Sequence, residues 1–405
     1  MASISSSPSF NKILPSVNGN LITILSIDGG GIRGIIPAKI LEALESELQK
    51  LDGPDVRIAD YFDVVAGTST GGLVAAMLTA PDADNRPLYD AKDIAPFYVK
   101  NGPQIFPYKG GLIGSAENTI TQLRGPKYDG KFLHKILRDN LGQTRLSQAL
   151  TSLVIPTFDI KNMQPTIFSS YEIKSMGYMD ALLSDICIAT SAAPTFLPPH
   201  QFTNADAAGK SWDFNLIDGG VAANNPTLVA IREVVKQVYR NDPDFFPIQP
   251  TDYGRYLVIS LGTGSDKQEQ KYTAAAAAKW GLFGWVIQGN STPILDVFNQ
   301  ASKDMVDYFL SVVFQALHSQ DNYLRIQYDA LSGVNSSVDV STKENLNDLV
   351  RIGEELLKAP VSRINLQNGN YEPIVDGGTN QEALRKFAVL LSDEQKLRRS
   401  NLQGS

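Results

Sequence analysis

Asp63-Val-Val-Ala-Gly-Thr-Ser-Thr-Gly-Gly-Leu-Val-Ala-Ala-Met-Leu78 constrains this chain more than any other stretch. An apolar run, Val64 to Ala66, meets Gly67-Thr68-Ser69-Thr70-Gly71, and a helix-forming apolar run from Leu73 to Leu78 follows at once. The pattern reads as strand, sharp turn and helix, with Ser69 at the apex. Gly-x-Ser-x-Gly in this setting is a nucleophile elbow. Gly67 and Gly71 let strand and helix approach closely while Ser69 takes a strained backbone conformation. Its hydroxyl then stands above the sheet, near the positive end of the helix. Read alone, the motif also fits an ordinary strand-to-helix turn that happens to contain serine.

The rest of the chain repeats the strand-then-helix order. Leu21–Ile27 and Tyr256–Leu261 are continuous apolar runs of the kind buried in parallel sheets. After the first comes a helix with Ile40, Leu41, Leu44 and Leu48 on its inner face and Glu42, Glu45, Glu47 and Lys50 on the outer. Asp60–Ala66, Ser152–Phe158, Thr166–Tyr171 and Phe214–Ile217 read as strands. Phe132–Leu141, Leu182–Ala192 and Pro226–Tyr239 read as helices. Residues 81–126 carry little periodicity and read as a surface excursion, a lid or substrate wall. His200 falls in a loop. After residue 264 the pattern is helical: Ala274–Gln288, Ile294–His318, Lys343–Leu357 and Gln381–Arg399, with one strand near Asn322–Tyr328 and a loop over Asn368–Gly378. The expected architecture is a three-layer α/β/α domain over 21–264 with a mainly parallel central sheet. A flexible tail (1–20) precedes it, and a helical C-terminal extension (265–405) packs on the same domain.

Two further turns lie where chemistry can occur. Asp28-Gly-Gly-Gly-Ile-Arg-Gly34 follows the first strand and contains a Gly-x-Gly-x-x-Gly spacing at Gly29, Gly31 and Gly34. That spacing fits a dinucleotide fingerprint, but no acidic residue closes a second strand at the usual distance. It fits equally an oxyanion hole, in which the unshielded amides of Gly30 and Gly31 donate to a developing negative charge. An activated serine normally takes a histidine as base. The chain has three histidines, His134, His200 and His318. The order Ser69, Asp218, His318 matches a Ser-Asp-His triad, although His318 ends a long amphipathic helix and fits a helix C-terminus as well. The other candidate base is a carboxylate. Asp218 follows a strand, is followed by Gly219 and Gly220, and so stands at a sheet edge where ligands bind. Asp376-Gly-Gly378 is the same tripeptide in a loop, so the strand before Asp218 distinguishes it.

Asp28-Gly-Gly-Gly-Ile-Arg-Gly34, Gly67-Thr-Ser-Thr-Gly71 and Asp218-Gly-Gly220, in this order, resemble the patatin-like phospholipases, nearest to plant patatins and their cytosolic relatives. Thr190-Ser-Ala-Ala-Pro-Thr-Phe-Leu-Pro-Pro199 is similar to a block those proteins carry, and the resemblance covers about residues 22–230. It implies lipid acyl hydrolysis by a Ser–Asp dyad without histidine or cofactor. In that scheme Ser69 is the nucleophile, Asp218 the base, Gly30 and Gly31 the oxyanion donors and Arg33 an auxiliary. It further implies membrane glycerolipids, phospholipids or galactolipids, as substrates reached by peripheral membrane contact. Storage patatins carry a secretory signal. The N-terminus here has neither a basic nor an apolar leader region, so the expectation is a cytoplasmic protein. A storage or defence protein with incidental esterase activity remains the alternative.

Composition excludes several other classes. A net charge of −7 argues against nucleic acid as a partner. One cysteine and no clustered ligands argue against a disulfide framework or a metal centre. Trp280, Phe283 and Trp285 mark a segment that fits either a core helix or a lipid interface.

Overall fold

β-branched and leucine side chains make Ile22–Ile27 a strand, and all six of its residues are buried, as in a strand covered on both faces. In the computed structural model, which describes residues 13–107, 125–249, 251–269, 271–288 and 292–404, this strand is the centre of the molecule. Along the chain run β1 (Ile22–Ile27), α1 (Ile35–Asp52), β2 (Val64–Gly67), α2 (Thr70–Thr79), α3 (Ala91–Ile105), α4 (Lys131–Leu141), β3 (Ser152–Asp159), β4 (Gln164–Ser169), α5 (Leu183–Thr190), β5 (His200–Ala205), β6 (Ser211–Asp218), α6 (Gly220–Ala223) and α7 (Thr227–Tyr239). Then follow β7 (Tyr256–Leu261), α8 (Ala274–Ala277), α9 (Leu282–Val286), α10 (Pro293–Ala316), β8 (Tyr323–Ile326), α11 (Lys343–Lys358), β9 (Ser362–Ile364), β10 (Tyr371–Pro373) and α12 (Asn380–Gly404).

The central sheet has the order β5-β6-β3-β2-β1-β7-β8, with β4 on the outer edge of β3. The block β3-β2-β1-β7-β8 is parallel, as the strand–helix alternation predicts. Alternate residues feed two cores. Leu25, Ile27, Val65 and Ile259 face Leu41 and Leu44 of α1. Ile24, Val64, Ala66 and Val258 face Ile231 and Val234 of α7 and Leu310 and Phe314 of α10. Helices on both faces of the sheet make the three-layer α/β/α fold. Each fully buried Leu or Ile contributes about 1.5–3 kcal/mol relative to exposure.

The β4–β6 region departs from the alternating pattern. β4 and β6 both pair antiparallel with β3, and β5 pairs antiparallel with β6. His200 therefore begins a strand rather than lying in a loop. Its neighbours Gln201 and Thr203 are polar because one face of β5 is open to water. Both β2 and β4 pair with Val154, and both β6 and β4 pair with residues 157–159. β2 and β6 thus share one edge of β3 and meet end to end along it.

Other expectations need correction. Glu45 and Glu47, read as solvent-facing, are 3% and 5% exposed. The Glu45 carboxylate accepts from the amides of Ile58 (3.1 Å) and Ala91 (2.9 Å), capping the start of α3. Glu47 is bracketed by Lys50 and Arg385. The excursion over 81–126 contains α3, which tolerates Pro96 and Pro103 because Ile94, Phe97, Tyr98 and Ile105 are buried; residues 108–124 of the expected lid lie outside the described residues. The helix expected over Ala274–Gln288 is broken into α8 and α9 around Trp280 and Gly281. None of the residues of α8 or α9 is buried, so this segment is not a core helix. The loop over 368–378 carries β10, paired with β9.

The first and last described segments are built into the domain. Of the expected tail, residues 1–12 lie outside the described residues, but Ser16 is buried and Asn20 donates to Glu394 of α12 at 3.1 Å. Arg398 of α12 is fully buried. It donates to Asp63 Oδ1 at 2.7 Å and Oδ2 at 2.8 Å, and to Glu394 at 2.9 Å. The strand β8 of the expected extension completes the central sheet beside β7.

Candidate active site

The turn after β2 holds its apex serine at positive φ between two glycines that the packing requires. Ser69 has φ 53° and ψ −121°, a positive-φ state that costs a non-glycine residue on the order of 1–3 kcal/mol. A Cβ on Gly67 would overlap the Gly71 carbonyl, and one on Gly71 would overlap the Ile27 carbonyl. The two glycines are needed for this close approach of strand, helix and β1. The Ser69 amide donates to Thr190 Oγ1 at 3.0 Å, and Thr190 donates to the Pro156 carbonyl at 2.7 Å. Ser69 also precedes the ten-residue α2, so its oxygen stands at the positive end of a helix.

Asp218 arrives from the opposite direction. β6 runs antiparallel to β3 and stops where Asp218 pairs with Thr157, just beyond the end of β2. Ser69 Oγ donates to Asp218 Oδ2 at 2.7 Å. The other carboxylate oxygen accepts from the Gly220 amide at 2.6 Å. Gly219 packs on the Pro156 carbonyl with no room for a side chain. Asp218 is 5% exposed, and this burial pushes its pKa up to about 6, against the lowering effect of its two hydrogen bonds.

The Gly-rich turn lies beside them because β1 and β2 pair in register, Ile27 opposite Gly67. The Gly29 amide donates to the Asn224 carbonyl and that of Ile32 to the Val338 carbonyl. The amides between them, on Gly30 and Gly31, have no partner among the described residues. Gly31 has φ +58°, and a Cβ there would overlap the Val338 carbonyl. Gly34 packs against Thr70. Arg33 is 9% exposed, donates to the carbonyls of Gly30 (3.4 Å) and Ser336 (3.2 Å), and has its pKa lowered by burial.

Gly30, Gly31, Arg33, Ser69 and Asp218 all line one cavity of about 680 Å³, within the size range of small-molecule sites. Leu73, Tyr98, Ile105, Leu133, Leu197 and Leu295 give it an apolar wall. None of the three histidines lines it. His134 and His200 stack edge-on with ring centroids 5.6 Å apart, and His200 Nε2 lies 2.9 Å from Asp185. His318 sits past the end of α10 with φ 53°. The chemistry this arrangement allows is proton transfer from a serine to a buried carboxylate beside two free amides.

Sequence reasoning missed Thr190 as the residue that positions the Ser69 amide, and it missed Lys303 in the cavity wall. The block starting at Thr190 was visible, and Ser191, Ala193, Pro194, Phe196 and Leu197 from it line the cavity. No local signal marked Lys303, which lies in an ordinary amphipathic helix.

A family model described as "Patatin-like phospholipase" matches residues 25–231, the span that holds all three turns. The sequence is 56% identical over 403 residues to patatin-like protein 2 of Oryza sativa subsp. japonica, covering 99% of each chain. It is 58% identical over 388 residues to patatin-like protein 2 of Arabidopsis thaliana, covering 96% of this chain and 95% of that one. To the patatin of Solanum tuberosum it is 46% identical over 383 residues, covering 94% of this chain and 92% of the other.

Proposed function

The chain belongs to the patatin-like phospholipase family, and from that premise we propose that it cleaves fatty-acyl esters of glycerolipids through Ser69 and Asp218. The observation that carries this reading is the 2.7 Å hydrogen bond from Ser69 Oγ to Asp218 Oδ2 in a cavity that no histidine lines.

The proposed cycle needs only groups already in place. Asp218 takes the Ser69 proton as Oγ bonds to the ester carbonyl carbon. The carbonyl oxygen becomes an oxyanion and accepts from the Gly30 and Gly31 amides. A donor of this kind is worth about 2.7–4 kcal/mol in the transition state. As the intermediate collapses, the ester C–O bond breaks and Asp218 returns the proton to the departing alcohol oxygen. A water molecule then gives a proton to Asp218 and attacks the acyl-Ser69 ester. Breakdown of that second intermediate releases the fatty acid and returns the proton to Ser69. A carboxylate with pKa near 6 suits this work, being largely ionised at pH 7 yet more basic than an exposed aspartate.

Substrate would enter from a lipid surface. Leu282 (78% exposed) and Phe283 (73%) project from α9, and Phe298 (67%) from α10 at the cavity rim. Beside them Trp280 meets Tyr272 and Trp285 edge-on. Exposed apolar side chains with adjacent tryptophans suit partial insertion into a bilayer interface.

Hydrolysis of a short-chain nitrophenyl ester tests the assignment. Ser69→Ala and Asp218→Asn should each lower kcat by at least about 10³-fold, while His318→Ala keeps the parent rate. Full activity in Asp218→Asn, or a loss of similar size in His318→Ala, would replace the dyad by another base.

A further inference from the structure

The cavity contains two cations, Arg33 and Lys303, that form no hydrogen bond or ion pair with a carboxylate among the described residues. Its acids are engaged elsewhere. Asp218 holds Ser69 and the Gly220 amide. Asp339 accepts from Lys127 at 2.6 Å and Tyr128 at 2.9 Å. Asp266 and Asp296 flank Lys271 at 3.9 and 4.0 Å, and Asp296 also accepts from Tyr272 at 2.6 Å. Arg33 hydrogen-bonds only to carbonyl oxygens, and Asp266, Asp296 and Asp28 act on it from beyond contact distance.

Lys303 is the sharper case. It lies on α10, is 5% exposed and lines the cavity, yet its ammonium has neither a hydrogen-bond nor an ion-pair partner among the described residues. The charges that act on it are Arg33 and Arg325, both cations, and Asp28 and Asp329. Asp28 is held by Arg325 at 2.7 Å, and Asp329 accepts from Ser265 at 2.7 Å. Burial and the neighbouring arginine lower the Lys303 pKa to about 8.

A largely buried cation without a counter-ion is costly, and a second cation beside it adds to the cost. Both groups face a cavity large enough for a ligand, and an anion there would supply the counter-ion that Lys303 lacks and offset its repulsion by Arg33. In a glycerophospholipid only a few bonds separate the phosphorus from the ester carbonyl that Gly30 and Gly31 would hold. Arg33 stands three residues beyond Gly30, on the same turn.

We propose that Lys303, together with Arg33, forms a subsite for the phosphate of a glycerophospholipid headgroup, so that phosphodiester lipids are taken in preference to uncharged galactolipids. This inference rests on the lipid-hydrolase reading above, and it names the substrate class within that reading.

Binding to the Ser69→Ala protein tests it without turnover. The probes are dihexanoyl phosphatidylglycerol, dihexanoyl monogalactosyldiacylglycerol and inorganic phosphate, each titrated calorimetrically below any micellar concentration. Adding Lys303→Met should weaken phosphatidylglycerol binding about tenfold or more, the scale of a charge-assisted hydrogen bond, with a much smaller change for the galactolipid. Lys303→Arg should restore the preference. Equal losses for both lipids, no loss for either, or failure of Lys303→Arg to restore the preference would overturn the subsite. Inorganic phosphate binding as tightly as the phospholipid would overturn the headgroup assignment in favour of free phosphate. The hydrolase reading fails separately, if the wild-type protein turns over no ester, and that result leaves these titrations interpretable.

Discussion

Arg325 grips Asp28 from 297 positions away in the sequence, donating to both carboxylate oxygens at 3.0 and 2.7 Å with neither group exposed beyond 5%. Arg325 is on β8, and Asp28 is the residue between β1 and the Gly-rich turn. Arg325 Nε also lies 3.1 Å from Asp307 of α10, which accepts from Asn225 at 2.8 Å. The C-terminal third of the chain therefore fixes the start of the Gly-rich turn and the segment after Asp218 through one buried network. Removing one partner of such a pair leaves an uncompensated charge.

Arg325→Met should accordingly destabilise the fold by about 3–5 kcal/mol, measured by urea unfolding at pH 7. Asp28→Asn, which leaves the guanidinium with Asp307, should cost less. A near-neutral Arg325→Met would show that the Gly-rich turn holds its shape without the extension.

The raised pKa of Asp218 makes two pH predictions. Only its carboxylate can accept the Ser69 proton, so kcat/KM for a monomeric ester should rise with pH and reach half its plateau near pH 6. For stability the sign is reversed. The folded-state pKa lies above the unfolded value of 3.8, so the fold favours the protonated acid; this contribution is complete below 3.8 and is lost as pH rises through about 6. Asp218→Asn should therefore be more stable than the parent at pH 8, by up to about 3 kcal/mol, and gain little at pH 3.5. Equal stability of the two proteins at pH 8 would contradict a buried, ionised Asp218.

Leu282 and Phe283 should contribute to contact with lipid. Replacing both by serine removes two side chains whose burial is worth about 1.5–3 kcal/mol each when complete. The fraction of protein sedimenting with phospholipid vesicles should fall at least about tenfold, and activity on vesicle substrate should fall far more than activity on a monomeric ester. Undiminished sedimentation would place the interfacial surface elsewhere.

The parts of this structure legible in the sequence were those specified by near neighbours. The runs Leu21–Ile27 and Tyr256–Leu261 announce buried strands, and the elbow announces itself through Gly67 and Gly71, whose carbonyl-to-backbone contacts exclude any other residue. Asp218 could be picked over Asp376 because a strand precedes it. What was illegible depends on distant partners. Glu45 reads as a surface residue until the Ala91 amide, 46 positions on, is brought to it. The polar residues of β5 hide a strand because only one of its faces is covered. Pro96 and Pro103 argue locally against α3, and only its buried face outweighs them. Lys303 looks like any exposed helix lysine until the cavity forms around it. The antiparallel entry of β6 was equally hidden, although it is what sets Asp218 end to end with Ser69.

Acylation of Ser69 with Asp218 as its base is the step on which the proposed activity depends. An alkyl fluorophosphonate, which traps activated serines, followed by peptide mass mapping, tests this directly. The expected result is stoichiometric modification of Ser69, slowed by at least about 10³-fold in Asp218→Asn and unaffected in His318→Ala. Modification of a different residue with loss of esterase activity, or labelling of Ser69 at the parent rate in Asp218→Asn, would contradict the dyad.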